Sequence, residues 1–153
     1  MHNMKIYFTL LCTLLALNAA AGSLTETDVK GLIAKADKAA VTLNASDLAS
    51  TLSDDVIIIM NINMQGQKHV MKPSKTEYIS MVQQGWTTYS NYTYSKSDVV
   101  IKMQDDKAFV TSKVSESMTV QGSTMSGESK EEVTIELVNG RPLITRMVGY
   151  TSM

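Results

Sequence analysis

The segment "VNGRPLITRMVGY", residues 138–150, carries the strongest turn signal of the sequence. Asn139-Gly140 is typical of two-residue β-hairpin turns, because both residues adopt positive φ angles at low cost. Apolar and β-branched residues flank the turn, in residues 129–138 on one side and residues 142–150 on the other. The segment therefore predicts two antiparallel strands joined by a tight turn.

Two further strand-like segments precede this hairpin. Residues 89–103, "YSNYTYSKSDVVIKM", are followed by the turn-forming pair Asp105-Asp106 and then by residues 108–120, "AFVTSKVSESMTV". The polar segment 121–127, "QGSTMSG", separates the second of these from the hairpin. Strands separated by turn residues in this order predict a four-strand antiparallel meander over the second half of the chain.

The first half of the chain is predicted to be mainly helical. Apolar residues within 25–43 recur at the spacing of an amphipathic helix. A short second helix is predicted over 46–52, and a third over 75–86 with Gly85 as its stop. Between them, residues 54–62, "DDVIIIMNI", are apolar and largely β-branched, which is typical of a strand covered on both faces.

This order of elements predicts an α+β fold, with N-terminal helices packed on a strongly curved antiparallel sheet. The order, the segment "LSDDVIII" (52–59) and the closing "VNGRPLITRMVGY" resemble the nuclear transport factor 2-like superfamily. The resemblance covers residues 22–153 and implies a cone that encloses a pocket open at one end. In some relatives that pocket is the active site, as in ketosteroid isomerase, scytalone dehydratase and SnoaL-like polyketide cyclases. In others it binds ligands or partners. Such a fold does not by itself name a function.

The N-terminal residues 1–21 have the pattern of a secretory signal peptide. A short start containing Lys5 precedes an apolar run, and Ala19 and Ala21 fit the small-residue rule for cleavage before Gly22. We therefore expect a periplasmic or secreted protein, with residues 22–153 as a single domain and no membrane association after cleavage. The net charge of −1 and the lack of a basic block argue against nucleic acid as a partner.

Few conventional catalytic groups remain in residues 22–153. The only cysteine, Cys12, lies in the signal segment, and His69 is the single histidine beyond it, in the polar segment 65–72 that is predicted to be a loop. The lack of a second histidine excludes sites built from several histidines, and the lack of a cysteine beyond the signal segment excludes Cys-His catalysis there. The position of His69 in a polar loop argues against Ser-His-Asp catalysis. The catalytic residues of the superfamily find no matching positions. We expect no cofactor.

Methionine is abundant, with 11 in the whole chain. Met60, Met64 and Met71 lie close to His69 in sequence, and thioethers are soft ligands for Cu(I). Methionine also fills irregular apolar cavities, and the spacing here lacks the tight repeat of a thioether site. The sequence therefore predicts a methionine-lined pocket and no metal site.

Glu116 interrupts an otherwise apolar strand face. Within 108–120, the same face carries Val110, Val114 and Met118, so the period of two places the carboxylate with residues that belong inside. Three interpretations are open: a rim residue wetted by solvent, a structural ion pair, or a functional pocket acid. The last would make Glu116 a candidate general base.

Arg146 is the candidate partner of this carboxylate. It alternates with Ile144 and Val148 in the last strand, and an inward orientation of that face would put Arg146 and Glu116 on one concave surface. Leu143 and Met147 define the other choice of inner face. A buried charge requires a partner, which makes the pair attractive as a catalytic or structural unit.

The predicted ligand-binding residues are aromatic or methionine side chains around the expected cavity mouth. Aromatic rings there could stack on a ligand, although they could also close the end of the core. The candidates are Met60, Tyr78, Met81, Trp86, Tyr92, Tyr94 and Met118.

The expected function is that of an exported domain whose apolar pocket binds a small hydrophobic molecule. One alternative is a lyase or isomerase that uses Glu116 as general base. Another is an accessory module that binds a second envelope protein. Dimers through the outer face of the sheet are common among relatives, and the polar Thr, Ser and Lys face of this sheet leaves a homodimer open.

Overall fold

The computed structural model describes residues 22–64 and 66–152. The predicted signal peptide, residues 1–21, lies outside the described residues. Within the two described ranges, no helix is both long and apolar enough to cross a membrane. The elements in chain order are α1 (Glu26–Val41), α2 (Ala45–Ala49), β1 (Leu52–Met64), β2 (Gln67–Met71), α3 (Lys75–Thr88), β3 (Ser90–Gln104), β4 (Lys107–Val120), β5 (Ser123–Val138) and β6 (Arg141–Ser152).

The strands form one six-stranded sheet in the order β2-β1-β6-β5-β4-β3. Neighbours β3 to β6 pair antiparallel in succession, so the predicted meander is confirmed. Strand β1 pairs in parallel with β6 and antiparallel with β2. The predicted hairpin turn is also confirmed, because Asn139 and Gly140 have φ angles of 52° and 74°. The α+β architecture, with N-terminal helices and a curved sheet, is as predicted.

Helix α3 begins as the sequence predicts but ends later. The Ser74 hydroxyl accepts a hydrogen bond from the Glu77 N–H, and the Glu77 carboxylate accepts one from the Ser74 N–H, which is a reciprocal capping box. The predicted stop at Gly85 is wrong, because the helix continues to Thr88. A Cβ atom at position 85 would lie 2.9 Å from the Tyr89 hydroxyl oxygen. Gly85 therefore makes room for the ring of Tyr89.

The β1–β2 hairpin differs from the prediction in two respects. Residues predicted as a polar loop form the edge strand β2, in which His69 lies opposite Ile62 and Met71 lies opposite Met60. Strand β1 is also not covered on both faces, since Ile57 is 57% exposed. The continuous apolar run reflects β-strand propensity at this position more than burial.

The core lies between helix α1 and the central strands. Apolar side chains recur every three or four residues along α1, as in an amphipathic helix, and this face packs against the sheet. The fully covered residues include Val29, Leu32, Ile58, Ala108 and Ile135. This packing fixes α1 across the sheet and so positions the polar side chains of the same helix face beside strand β3.

Candidate functional site

A cavity of about 340 Å³ lies between the helices and the concave face of the sheet. This volume is at the lower end of the range of small-molecule sites. Its walls are largely apolar and aromatic, with side chains from helices α1, α2 and α3 and from strands β1, β3, β4, β5 and β6. Every predicted ligand-binding residue lies in this wall: Met60, Tyr78, Met81, Trp86, Tyr92, Tyr94 and Met118.

Glu116 faces this cavity. The alternate residues of β4, from Val110 through Ser112 and Val114 to Met118, line the same wall, as the period of two requires. The predicted orientation of Glu116 is therefore confirmed. Its carboxylate Oε1 accepts a short hydrogen bond from the hydroxyl of Tyr92 on the neighbouring strand. The acid thus has a neutral hydrogen-bond donor beside it.

Arg146 does not reach this acid. It is exposed and lies opposite Thr134, whereas Ile144 and Met147 line the cavity. The register shifts between the pairs Ile135–Ile144 and Thr134–Arg146, which leaves Thr145 as an extra residue in a β-bulge. Because of this bulge, Ile144 and Met147 both face inward although they belong to different choices of inner face, and the alternative that turns Arg146 inward is wrong.

A charged cluster in the cavity wall was not predicted. The Lys96 Nζ lies 2.7 Å from the Asp37 Oδ1 and 3.6 Å from the Glu131 Oε2. The lysine side chain is only 13% exposed, so its charge is held largely away from water. The Tyr94 hydroxyl donates a 2.8 Å hydrogen bond to the same Asp37 oxygen. A helix carboxylate and a strand carboxylate therefore share one ammonium group.

The alternation of the strands holds a signal for this cluster. Lys96 is two residues beyond Tyr94 in β3, and Glu131 is two residues before Val133 in β5, so both share a face with inward residues. Asp37 follows Ile33 by four positions on helix α1, which puts it on the helix face that lines the cavity.

Burial raises the pKa of three tyrosines in this wall. Desolvation is the largest cause that raises the pKa of Tyr78, Tyr92 and Tyr94. The nearby carboxylates Glu116 and Glu131 raise the pKa of these phenols further, since a second negative charge is disfavoured beside them. The three hydroxyls are therefore neutral hydrogen-bond donors across the physiological range.

Burial also raises the pKa of Glu131, although the nearby Lys96 ammonium opposes this effect. Because the pKa of Glu131 is raised overall, the ammonium that it shares with Asp37 compensates its desolvation only in part.

An aromatic cluster borders Glu116. The ring centroids of Trp86 and Tyr92 are 6.4 Å apart at an interplanar angle of 59°, and those of Tyr89 and Tyr92 are 6.1 Å apart at 15°. All three rings line the cavity. Because Tyr92 also donates to Glu116, the rings and the carboxylate form one continuous part of the wall.

The residues considered for copper lie on the β1–β2 hairpin. Met60 lines the cavity, whereas Met64 and Met71 are 46% and 38% exposed. Over residues 22–64 and 66–152, no group of three His, Cys, Asp or Glu side chains is arranged to hold a metal ion. Thioether binding of Cu(I) involves other side chains, so the expectation of no metal site stays a prediction.

Comparison with solved structures identifies the fold. A nuclear transport factor 2-like protein from Cytophaga hutchinsonii superposes with a TM-score of 0.64 at 16% identity, over 83% of this chain and 98% of that one. Another, of unknown function, from Pseudomonas putida gives 0.65 at 14% identity, over 84% and 89%. A hexachlorocyclohexane dehydrochlorinase, LinA, gives 0.63 at 12% identity, over 82% and 83%.

No protein-family model and no curated protein matches the sequence. The chain has the nuclear transport factor 2-like fold, which confirms the resemblance seen in its sequence, and identities of this size establish the fold alone.

Proposed function

We propose that this protein binds a small, largely apolar molecule in the cavity between the helices and the sheet. The observation that carries the proposal is the cavity itself, about 340 Å³ in volume and walled by apolar, aromatic and methionine side chains. Covering apolar surface contributes roughly 25 cal/mol per Å². A few fixed polar groups within such a wall orient the ligand.

Trp86 provides the measurement. It is the only tryptophan of the chain and it lines the cavity, so its fluorescence reports occupancy. We expect the neutral dye Nile red to bind saturably with one site per chain and to change the emission of Trp86. A non-saturable response, or none, would contradict the proposal.

A matched pair of substitutions locates the binding site. Ala36 lines the cavity on helix α1, whereas Ala34 on the same helix is exposed. We expect Ala36→Leu to fill part of the cavity and weaken dye binding at least about ten-fold, which corresponds to about 1.4 kcal/mol. Ala34→Leu should leave binding unchanged, because both variants have the same helix propensity and differ only in the face they occupy. Equal effects of both would contradict binding in the cavity.

A second candidate function is that of a lyase or isomerase with Glu116 as general base. The carboxylate lines the cavity next to a phenolic donor, an arrangement that supports removal of a carbon-bound proton. A dehydrochlorinase with the same fold shows that this fold can hold elimination chemistry, although the likeness itself extends only to the fold.

Proton exchange tests this alternative without knowledge of the substrate. Small ketones such as cyclohexanone should lose α-protons to D2O faster with the protein than without it, as followed by NMR, and Glu116→Gln should abolish the difference. The absence of any difference with the wild-type protein would count against the enzyme.

Export before Gly22 is part of the proposal and rests on the pattern around Lys5, Ala19 and Ala21. The intact mass of the protein recovered from outside the cytoplasm should correspond to residues 22–153. A chain that still carries residues 1–21 would contradict this. Such a location would also bring the domain near other envelope proteins, the partners that the accessory-module alternative requires.

A further inference from the structure

We propose that the ligand of this cavity is an organic cation, an amine or quaternary ammonium group attached to an apolar body. The inference rests on the proposed function, because it names the chemical class of a ligand bound in the same cavity. Two independent features of the wall support it, its charge balance and its aromatic cluster.

The charge balance of the wall is negative. Among the residues that the structure describes, Asp37, Glu116 and Glu131 line the cavity, and Lys96 is the only cationic side chain in the wall. The ammonium of Lys96 is nearest to Asp37, at 2.7 Å, and lies at a longer 3.6 Å from Glu131. Two of the three carboxylates therefore lack a full positive charge of their own.

Glu116 lacks a cation most clearly. Its contact is the neutral hydroxyl of Tyr92, and among the side chains of residues 22–64 and 66–152 it forms no ion pair within 4.0 Å. A carboxylate in a partly dry cavity gains more from an opposite charge than from a neutral donor. A ligand ammonium placed beside Glu116 supplies that charge.

The aromatic cluster provides the second feature. Trp86, Tyr89 and Tyr92 line the cavity, and Tyr92 is hydrogen-bonded to Glu116. The ring centroids of Trp86 and Tyr89 lie 6.4 and 6.1 Å from that of Tyr92. The faces of such rings attract cations, and cages of tyrosine and tryptophan recognise alkylated ammonium groups. A neutral or anionic ligand head gains nothing comparable from these rings beside a carboxylate.

Proton uptake is the alternative way to reduce the negative charge in the wall. Burial raises the pKa of Glu131, so in the cavity without a ligand this acid takes up a proton more readily than an exposed glutamate does. A bound cation favours the charged form. The same desolvation that disfavours the empty ionised cavity therefore strengthens the attraction of a cationic ligand.

A series of ligands with one apolar body tests the proposal. n-Hexylammonium, hexyltrimethylammonium, 1-hexanol and hexanoate would be titrated against the wild-type protein with Trp86 fluorescence and calorimetry. We expect at least one of the two cations to bind at least about ten-fold tighter than 1-hexanol, a difference of about 1.4 kcal/mol. Hexanoate should bind most weakly. Tetramethylammonium, which lacks the apolar body, should bind far more weakly than hexyltrimethylammonium.

Three variants locate the effect. Glu116→Gln and Glu131→Gln should each reduce the preference for cation over alcohol by several-fold, while 1-hexanol still binds. Glu132→Gln is the matched control, because Glu132 is adjacent to Glu131 but pairs with Lys130 and lies outside the cavity wall. It should leave the preference unchanged. Circular dichroism and thermal unfolding identify any variant that fails to fold, and the wild-type series alone still decides the question.

The outcomes separate the two proposals. If 1-hexanol or hexanoate binds as tightly as the cations, the cationic class is wrong and the apolar cavity stands. If Glu132→Gln lowers cation binding as much as Glu116→Gln, general charge attraction explains the result and the proposal fails. If neither Nile red nor any hexyl compound binds, the proposed function itself is wrong.

Discussion

Two regions of the same concave sheet face differ in what they bury. The core region, represented by Ile58 and Ala108, contains apolar side chains with 2% exposure or less. The cavity region, a few residues further along the strands, has a largely apolar and aromatic wall that also contains the charged residues Asp37, Lys96, Glu116 and Glu131. The difference shows that the same alternation of inward and outward residues can build both regions. Apolar packing stabilises the core region, and hydrogen-bonded or ion-paired groups occupy the cavity region.

The largest expected effect belongs to the core region. Ile58→Ala should lower the free energy of unfolding by about 4 kcal/mol, because it removes a side chain that is 2% exposed and leaves a cavity. Chemical denaturation measures the change. Ile57→Ala is the control, since Ile57 is 57% exposed and its truncation should cost less than about 1 kcal/mol. Similar losses in both variants would remove the distinction between the two faces of β1.

The next effect belongs to the cavity region. Lys96→Met should lower the free energy of unfolding by about 2–3 kcal/mol at neutral pH, because Asp37 and Glu131 would lose the ammonium that they share. Lys113→Met provides the control, as its ion pair with Asp98 is exposed on both sides and should contribute little. An unchanged stability of Lys96→Met would show that the cavity is well solvated.

A smaller effect concerns pH. Burial raises the folded-state pKa of Glu131 above its unfolded value, so its stabilising contribution is present below the unfolded value of about 4.3 and is lost as pH rises through the folded pKa. Glu131→Gln should therefore match the wild type in acid and become relatively more stable toward neutral pH. Unfolding curves over this range measure the trend. The opposite trend would mean that Lys96 outweighs desolvation.

The smallest effect concerns the phenol that contacts Glu116. Tyr92→Phe removes the hydroxyl donor and keeps the ring, so it should cost about 1 kcal/mol of unfolding free energy. The exposed Tyr150, at 44%, is the control, and Tyr150→Phe should have almost no effect. A loss above about 3 kcal/mol would mean that the cavity region is as dry as the core.

Much of the fold could be predicted because its signals are local. The Asn139-Gly140 turn and the alternation around Glu116 depend on neighbours within a few residues, and both were predicted correctly. The seven candidate ligand-binding residues also lie in the cavity wall, but that expectation rests on the pocket implied by the family resemblance and not on spacing alone.

The features that were missed or predicted wrongly depend on long-range contacts, which the spacing of residues along the chain does not predict. Tyr94 bonds to Asp37 across 57 positions of the chain, and the packing angle of α1 on the sheet decides that contact. The alternative with an inward Arg146 is wrong because a bulge changes the phase of β6, and no residue type in the sequence indicates this bulge. The edge strand β2 contains His69 in a polar segment, so pairing with β1 and not its own composition makes it a strand.

The bulge at Thr145 also has a genetic consequence. Ile144 and Met147 both point inward although three positions separate them, and Thr145 is the residue that allows this. Loss of the Thr145 codon would remove the bulge against β5 and the hydrogen bond from Thr145 to Glu136, while Ile144, Arg146 and Met147 would keep their present orientations. Loss of the codon for Met147 or Val148 would instead invert every later residue of β6. The same single-codon deletion is therefore conservative at one position of the strand and disruptive two or three positions later.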